Sequence, residues 1–84
     1  MKIEIPHSAL MVLQVLTITG PASPREISRK GNIPLRTVSF ALRHLRGLEI
    51  CRPIPNLTDM RRPKYVVDTE KARTVFLMYG KMPI

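Results

Sequence analysis

Two arginines, Arg36 and Arg43, stand seven positions apart in an 84-residue chain with a net charge of +8. On a helix they share one face, about 10 Å apart along the axis at 1.5 Å per residue. A guanidinium matches the acceptor edge of guanine or a phosphate, and the spacing leaves open which of the two each arginine meets. Thr37 and Ser39 carry hydroxyls able to bond a phosphate or a base edge, and Phe40 lies between the arginines on the exposed side. A ring there suits contact with a thymine methyl, or equally a protein contact beneath a neighbouring element. Arg61, Arg62 and Lys64 form a second basic group and Arg25, Arg29 and Lys30 a third. The second suits a minor groove or its phosphates, and the third suits phosphates.

The charge is unevenly spread. Between Pro21 and Lys64 there are ten basic and three acidic residues, a net +7, so the two ends together carry only +1. A basic centre between near-neutral ends suits a polyanion-binding face supported on both sides, or a generally basic surface. Enzymatic chemistry finds no nucleophile–base pair, paired carboxylates or glycine-rich phosphate loop. Cys51, His7 and His44 are too scattered to chelate a metal, and no cofactor is expected. Ala9–Ile18 is the longest mostly apolar stretch, too short for the roughly 20 residues of a membrane span. The first residues lack the pattern of a secretory leader, and a lone cysteine predicts an intracellular location, on the nucleoid when bound.

The elements that must position these groups are legible in the punctuation. An apolar helix over about 6–18 carries Ala9, Leu10, Met11, Val12, Leu13, Val15, Leu16 and Ile18, covering most of its circumference. Such a helix is buried on more than one side. Ser23-Pro24-Arg25-Glu26 is a helix start with a capping box, and Gly31-Asn32 tolerates the positive φ of a tight turn. Pro34 opens a third helix with Val38, Ala41, Leu42 and Leu45 at core spacing, and Gly47 is expected to end it. Leu48–Ile54 and Pro63–Val67 read as strands joined by a long loop, and Pro53 and Pro55 predict a hairpin regular at its base and loose at its tip. A last helix over about 69–79, capped by Asp68 or Thr69, carries Ala72, Val75, Phe76 and Tyr79. The prediction is one domain over 1–84, mainly α with a small β-hairpin (α+β).

The segment from Glu26 to Leu45 resembles the helix-turn-helix of the MarR, ArsR and TrmB-like regulator families. Ile27-Ser28 matches their large-then-small pair, Asn32 the positive-φ turn residue, Ile33 the apolar residue after it, and Thr37-Val38 the pair within the recognition helix. The likeness extends over roughly Pro6 to Tyr79 and departs at Gly31, where these families often hold an apolar residue. It implies a winged helix-turn-helix, double-stranded DNA as partner with a recognition helix at about 35–46 in the major groove, and a transcription regulator. Metal sensors of the ArsR type use Cys, His and carboxylate clusters that this chain does not have.

One winged helix covers little DNA, so a homodimer is expected, paired through the outer helices at Leu10, Leu13, Phe76 and Tyr79. Two other readings stand beside the sequence-specific regulator. One is a nonspecific DNA- or chromatin-coating protein; the other is a winged-helix interaction module of a transcription or RNA-associated complex. No small-molecule effector is specified.

Overall fold

The helix starts and stops follow from proline, small polar residues and left-handed turns. The structure, a computed structural model, describes residues 5–59 and 61–79, Tyr79 through its backbone alone. Its elements are α1 (His7–Thr19), α2 (Pro24–Gly31), α3 (Leu35–Gly47), β1 (Cys51–Ile54), β2 (Lys64–Val67) and α4 (Thr69–Tyr79). This is the mainly helical, hairpin-bearing order expected.

Helix α1 is apolar nearly all round because it is the central helix. It packs against α2, α3, β2 and α4, burying Ala9, Leu10, Val12, Leu13 and Leu16, while Met11 and Val15 lean on the same core. Each fully buried aliphatic side chain contributes about 1.5–3 kcal/mol. The expected dimer residues are corrected here. Leu10, Leu13 and Phe76 are 5%, 0% and 2% exposed, so they fill the core of a single copy and offer no surface. The side chain of Tyr79 lies outside the described residues, as does 80–84. The exposed apolar residues of the outer helices are Ile18, Leu77 and Met78.

The α2 start forms the expected capping box. The Ser23 amide donates to Glu26 Oε1 at 3.0 Å and the Glu26 amide to Ser23 Oγ at 3.3 Å. At its other end Asn32 takes the left-handed conformation with φ 54°, and the Ile33 amide closes back on the Ser28 carbonyl at 3.0 Å. The Ser28 hydroxyl donates to the Ile33 carbonyl, tying the turn a second time. Gly31 has an ordinary helical φ, and its value is room: a Cβ there would sit 2.9 Å from both Val15 Cγ2 and Ile33 Cδ1. The departure at Gly31 therefore brings α2 close to α1.

Helix α3 buries the expected stripe of Val38, Ala41, Leu42 and Leu45. It ends at Gly47, as expected, and the left-handed residue follows two positions on, Glu49 at φ 60°. The Ile50 amide reaches the Leu45 carbonyl at 2.9 Å and the Glu49 amide the Arg46 carbonyl at 3.0 Å. Those two bonds are the Schellman pattern, closed by burial of Ile50 with Leu45.

β1 and β2 pair antiparallel from Cys51↔Val67 to Ile54↔Lys64. Tyr65 turns its amide (2.7 Å) and carbonyl (3.1 Å) to Ala22, just ahead of α2. Pro53 opposite Tyr65 is thus in a non-hydrogen-bonded pair, and its missing N–H faces the open edge of β1. Beyond Ile54 and Lys64 the ladder stops, as expected, and the tip carries local bonds only. Asn56 Nδ2 donates to the Arg62 carbonyl, and Asn56 Oδ1 and Asp59 Oδ1 accept from the Thr58 and Arg61 amides, all at 3.1 Å. Asp68 caps α4, accepting from the Glu70 and Lys71 amides at 3.1 Å.

Gly31→Ala is expected to lower stability by about 1 kcal/mol in urea unfolding, because overpacking costs about 1–3 kcal/mol against a helix-propensity gain of about 0.5–1 kcal/mol. A stabilised variant would contradict the close approach of α2 to α1. The Ser23 amide, opposed in part by burial and aided by the Ser23 hydroxyl, Lys64 and Lys30, holds the Glu26 carboxyl below its ordinary value of 4.5. A lowered folded-state value means stability present above pH 4.5 and lost as the pH falls through the folded value. Ser23→Ala should cost about 1 kcal/mol at pH 7. The Ser23 amide survives in that variant, so the acid-sensitive part is read from Glu26→Gln, whose deficit should shrink below pH 4.5; a deficit that grows on acidification would contradict the Glu26 arm of the box.

Candidate nucleic-acid interface

Helix α3 presents its core stripe inward, which turns the opposite face outward. Arg36, Ser39, Phe40 and Arg43 are all exposed and Thr37 is half-buried. Neither Arg36 nor Arg43 has an ion-pair partner among the described residues. Phe40 does not fold beneath the wing. It is 53% exposed, with its ring 6.5 Å from that of His44 and tilted by 33°. A helix of 13 residues is about 20 Å long, and a major groove admits one such helix.

The bridge between Tyr65 and Ala22 swings the hairpin beside α3, and two grooves form along the seam. One, of about 250 Å³, brings together Arg25 at the start of α2, Leu35 and Ser39 of α3, and Arg61 and Arg62 of the wing. The next, of about 240 Å³, is lined by Ser39, Leu42, Arg43, Arg46 and Tyr65, with Pro24 at its edge. The three basic groups of the sequence are therefore only partly united. Arg25, Arg43, Arg61 and Arg62 meet along one seam. Arg29 and Lys30 are exposed in the last turn of α2 and line neither groove. Lys64 is half-buried and near enough to Glu26 to lower its pKa.

Arg62 Nε lies 3.6 Å from Asp59 Oδ2, both side chains largely in solvent. Such a pair is worth about 0.2–1 kcal/mol, which a phosphate can readily replace. Arg46, Leu35 and Tyr65 are seam residues that sequence reasoning left out. A signal existed for the helix: Leu35, Ser39, Leu42 and Arg46 follow at intervals of four, three and four, a stripe beside the core stripe. For Tyr65 the decisive feature is the pairing with Ala22, one residue long and without a sequence signature.

No group of three or more possible metal ligands occurs among the described residues, and no described helix is long and apolar enough to cross a membrane. Cys51 is buried, with its thiol 3.7 Å from the Leu42 carbonyl.

The fold is that of a winged helix. No protein-family model matches the chain, and no curated protein matches it in sequence. Solved structures do match in three dimensions. FabT of Streptococcus pneumoniae, solved in complex with DNA, is 17% identical with a TM-score of 0.75, over 92% of this chain and 53% of that one. A mutant form of Lactococcus lactis ZitR is 20% identical with a TM-score of 0.78, over 95% and 53%. ZitR is described as a zinc-responsive MarR family member. MepR of S. aureus, also solved with DNA, is 19% identical with a TM-score of 0.74, over 90% and 63%. The present chain thus spans about half the length of FabT and ZitR, 53% of each.

Burial pushes the Cys51 thiol up to about 11, against a smaller opposing pull from Arg46. At pH 8 the native thiol should react with a disulfide reagent at least about 100-fold more slowly than in the unfolded chain, since burial lowers the thiolate fraction and also blocks the reagent's approach. Equal rates in the two states would contradict the burial of Cys51.

Proposed function

We propose that this chain is the DNA-binding part of a transcription regulator. In this reading the outward face of α3 enters the major groove, with Arg36, Thr37, Ser39, Phe40 and Arg43 at the bases and phosphates. Arg61 and Arg62 at the wing meet the adjacent minor groove or its phosphates, and Arg25 a flanking phosphate. Arg29, Lys30 and Lys64 add positive field without lining the seam. The observation that carries the reading is the convergence of Arg25, Arg43, Arg61 and Arg62 along one seam beside a helix whose outward arginines have no ion-pair partner among the described residues. DNA beneath the same fold in FabT and MepR supports it.

The protein acts inside the cell as a homodimer. Two copies set recognition helices one turn of DNA apart, about 34–36 Å. With Leu10, Leu13 and Phe76 committed to the core, the pairing surface falls on exposed apolar residues such as Leu77 and Met78 of α4.

Selection from random-sequence DNA at physiological salt tests this. Wild type is expected to enrich one sequence. Arg36→Ala and Arg43→Ala should each relax the choice at a base position by about 1–3 kcal/mol, or weaken all sequences alike where the contact is a phosphate. Retention of all sequences equally would favour a nonspecific coating protein, and retention of none would contradict the proposal.

A further inference from the structure

Leu57 is 90% exposed, the most exposed of the large apolar side chains among the described residues. It stands at the hairpin tip, beyond the last ladder pair of Ile54 and Lys64. Local hydrogen bonds on either side of it define the backbone that carries it. Asn56, next to it, bonds across the loop to the Arg62 carbonyl and caps the turn at Thr58, and the Asp59 amide returns to the Asn56 carbonyl at 3.1 Å. The Arg62 amide closes on the Asp59 carbonyl, also at 3.1 Å. Proline at 53, 55 and 63 stiffens both approaches. The result is a braced, exposed leucine at the end of an arm that carries Arg61 and Arg62.

A single exposed leucine is ordinary on a protein surface. One braced at the tip of a cationic hairpin has a specific chemical counterpart. The minor groove supplies phosphates for the arginines, and a partly unstacked base step supplies an apolar slot for the side chain. We infer that Leu57 is a wedge that enters the minor groove at a base step and kinks the duplex, while Arg61 and Arg62 hold the flanking phosphates. The inference rests on the DNA-binding reading above. It adds that binding deforms the DNA, so that sequence preference extends, without hydrogen bonds to base edges, to an easily unstacked step such as TA where the wedge enters.

The test uses the full chain and a duplex of about 30 base pairs with central TA steps, labelled at both ends for energy transfer and carrying 2-aminopurine at one step. Wild type is expected to shorten the end-to-end distance, in line with a kink of about 20–90°, and to raise the 2-aminopurine emission. Leu57→Ala should still bind, within about tenfold of wild type because lost apolar burial is offset by unstacking no longer required. It should leave the duplex straight and the probe quenched. Leu57→Met should restore both signals and Leu57→Asp should not. Binding by wild type and Leu57→Ala with equal bending, or with none, would overturn the wedge and leave the DNA-binding reading intact. No binding by wild type, to this duplex or to any sequence from a random pool, would overturn both.

Discussion

The tight turn between α2 and α3 is the constraint on which the rest of the structure depends. A recognition face exists only if α3 crosses α2 at a fixed angle while both rest on α1. Three features of the turn hold that angle. Asn32 accepts the left-handed backbone at φ 54°, which most residues resist. The Ser28 hydroxyl and carbonyl both engage Ile33, so the chain cannot unwind from either side. Gly31 lets α2 approach α1 where any Cβ would press on Val15 and Ile33. Ile33 and Ile27, both buried, then anchor the turn in the core. With this angle set, burial of Val38, Ala41, Leu42 and Leu45 leaves Arg36 and Arg43 no direction but outward.

The second dependency is the placement of the wing. The β1–β2 pair alone does not specify its angle to α3. Ala22 does, by pairing with Tyr65 immediately ahead of the α2 cap. One short bridge therefore couples the start of α2, where Arg25 sits, to the hairpin that carries Arg61 and Arg62. At the other end of the hairpin, the Schellman turn at Glu49 and the Asp68–Ile50 bond (2.7 Å) fix how the strands leave α3 and enter α4. The basic residues gathered on the seam lie between 25 and 62, and only this closure brings them together.

Much of this was legible in the sequence because local chemistry and long-range packing agree there. The Ser23 box, the Asn32 turn and the α3 stripe each have a signature within a few residues, and each formed as expected. What was not legible depends on partners far along the chain. The apolar surplus of α1 reads the same whether its second side meets α4 or another copy, and the structure assigns Leu10, Leu13 and Phe76 to the interior. Gly47 is the last residue of α3, as its type suggests, but the left-handed turn after it falls on Glu49, where burial of Ile50 and its bond to Leu45 outweigh the preference for glycine. The regular ladder stops at Ile54 and Lys64, as the prolines suggest, while the bonds of Asn56 and Asp59 within the tip appear only once the hairpin is closed. Arg46 joined the seam through a stripe adjacent to the core, which becomes meaningful once the wing lies against that side.

The central claim is that the outward face of α3, the start of α2 and the wing act as one DNA-binding surface. The most direct measurement is residue-by-residue mapping of backbone amide NMR shifts on titration with duplex DNA. The account predicts the largest changes at Arg36–Arg43, at Arg25 and at Arg61–Arg62, with α1 nearly silent. Changes concentrated at Leu77 and Met78 of α4, with α3 and the wing unperturbed, would contradict it.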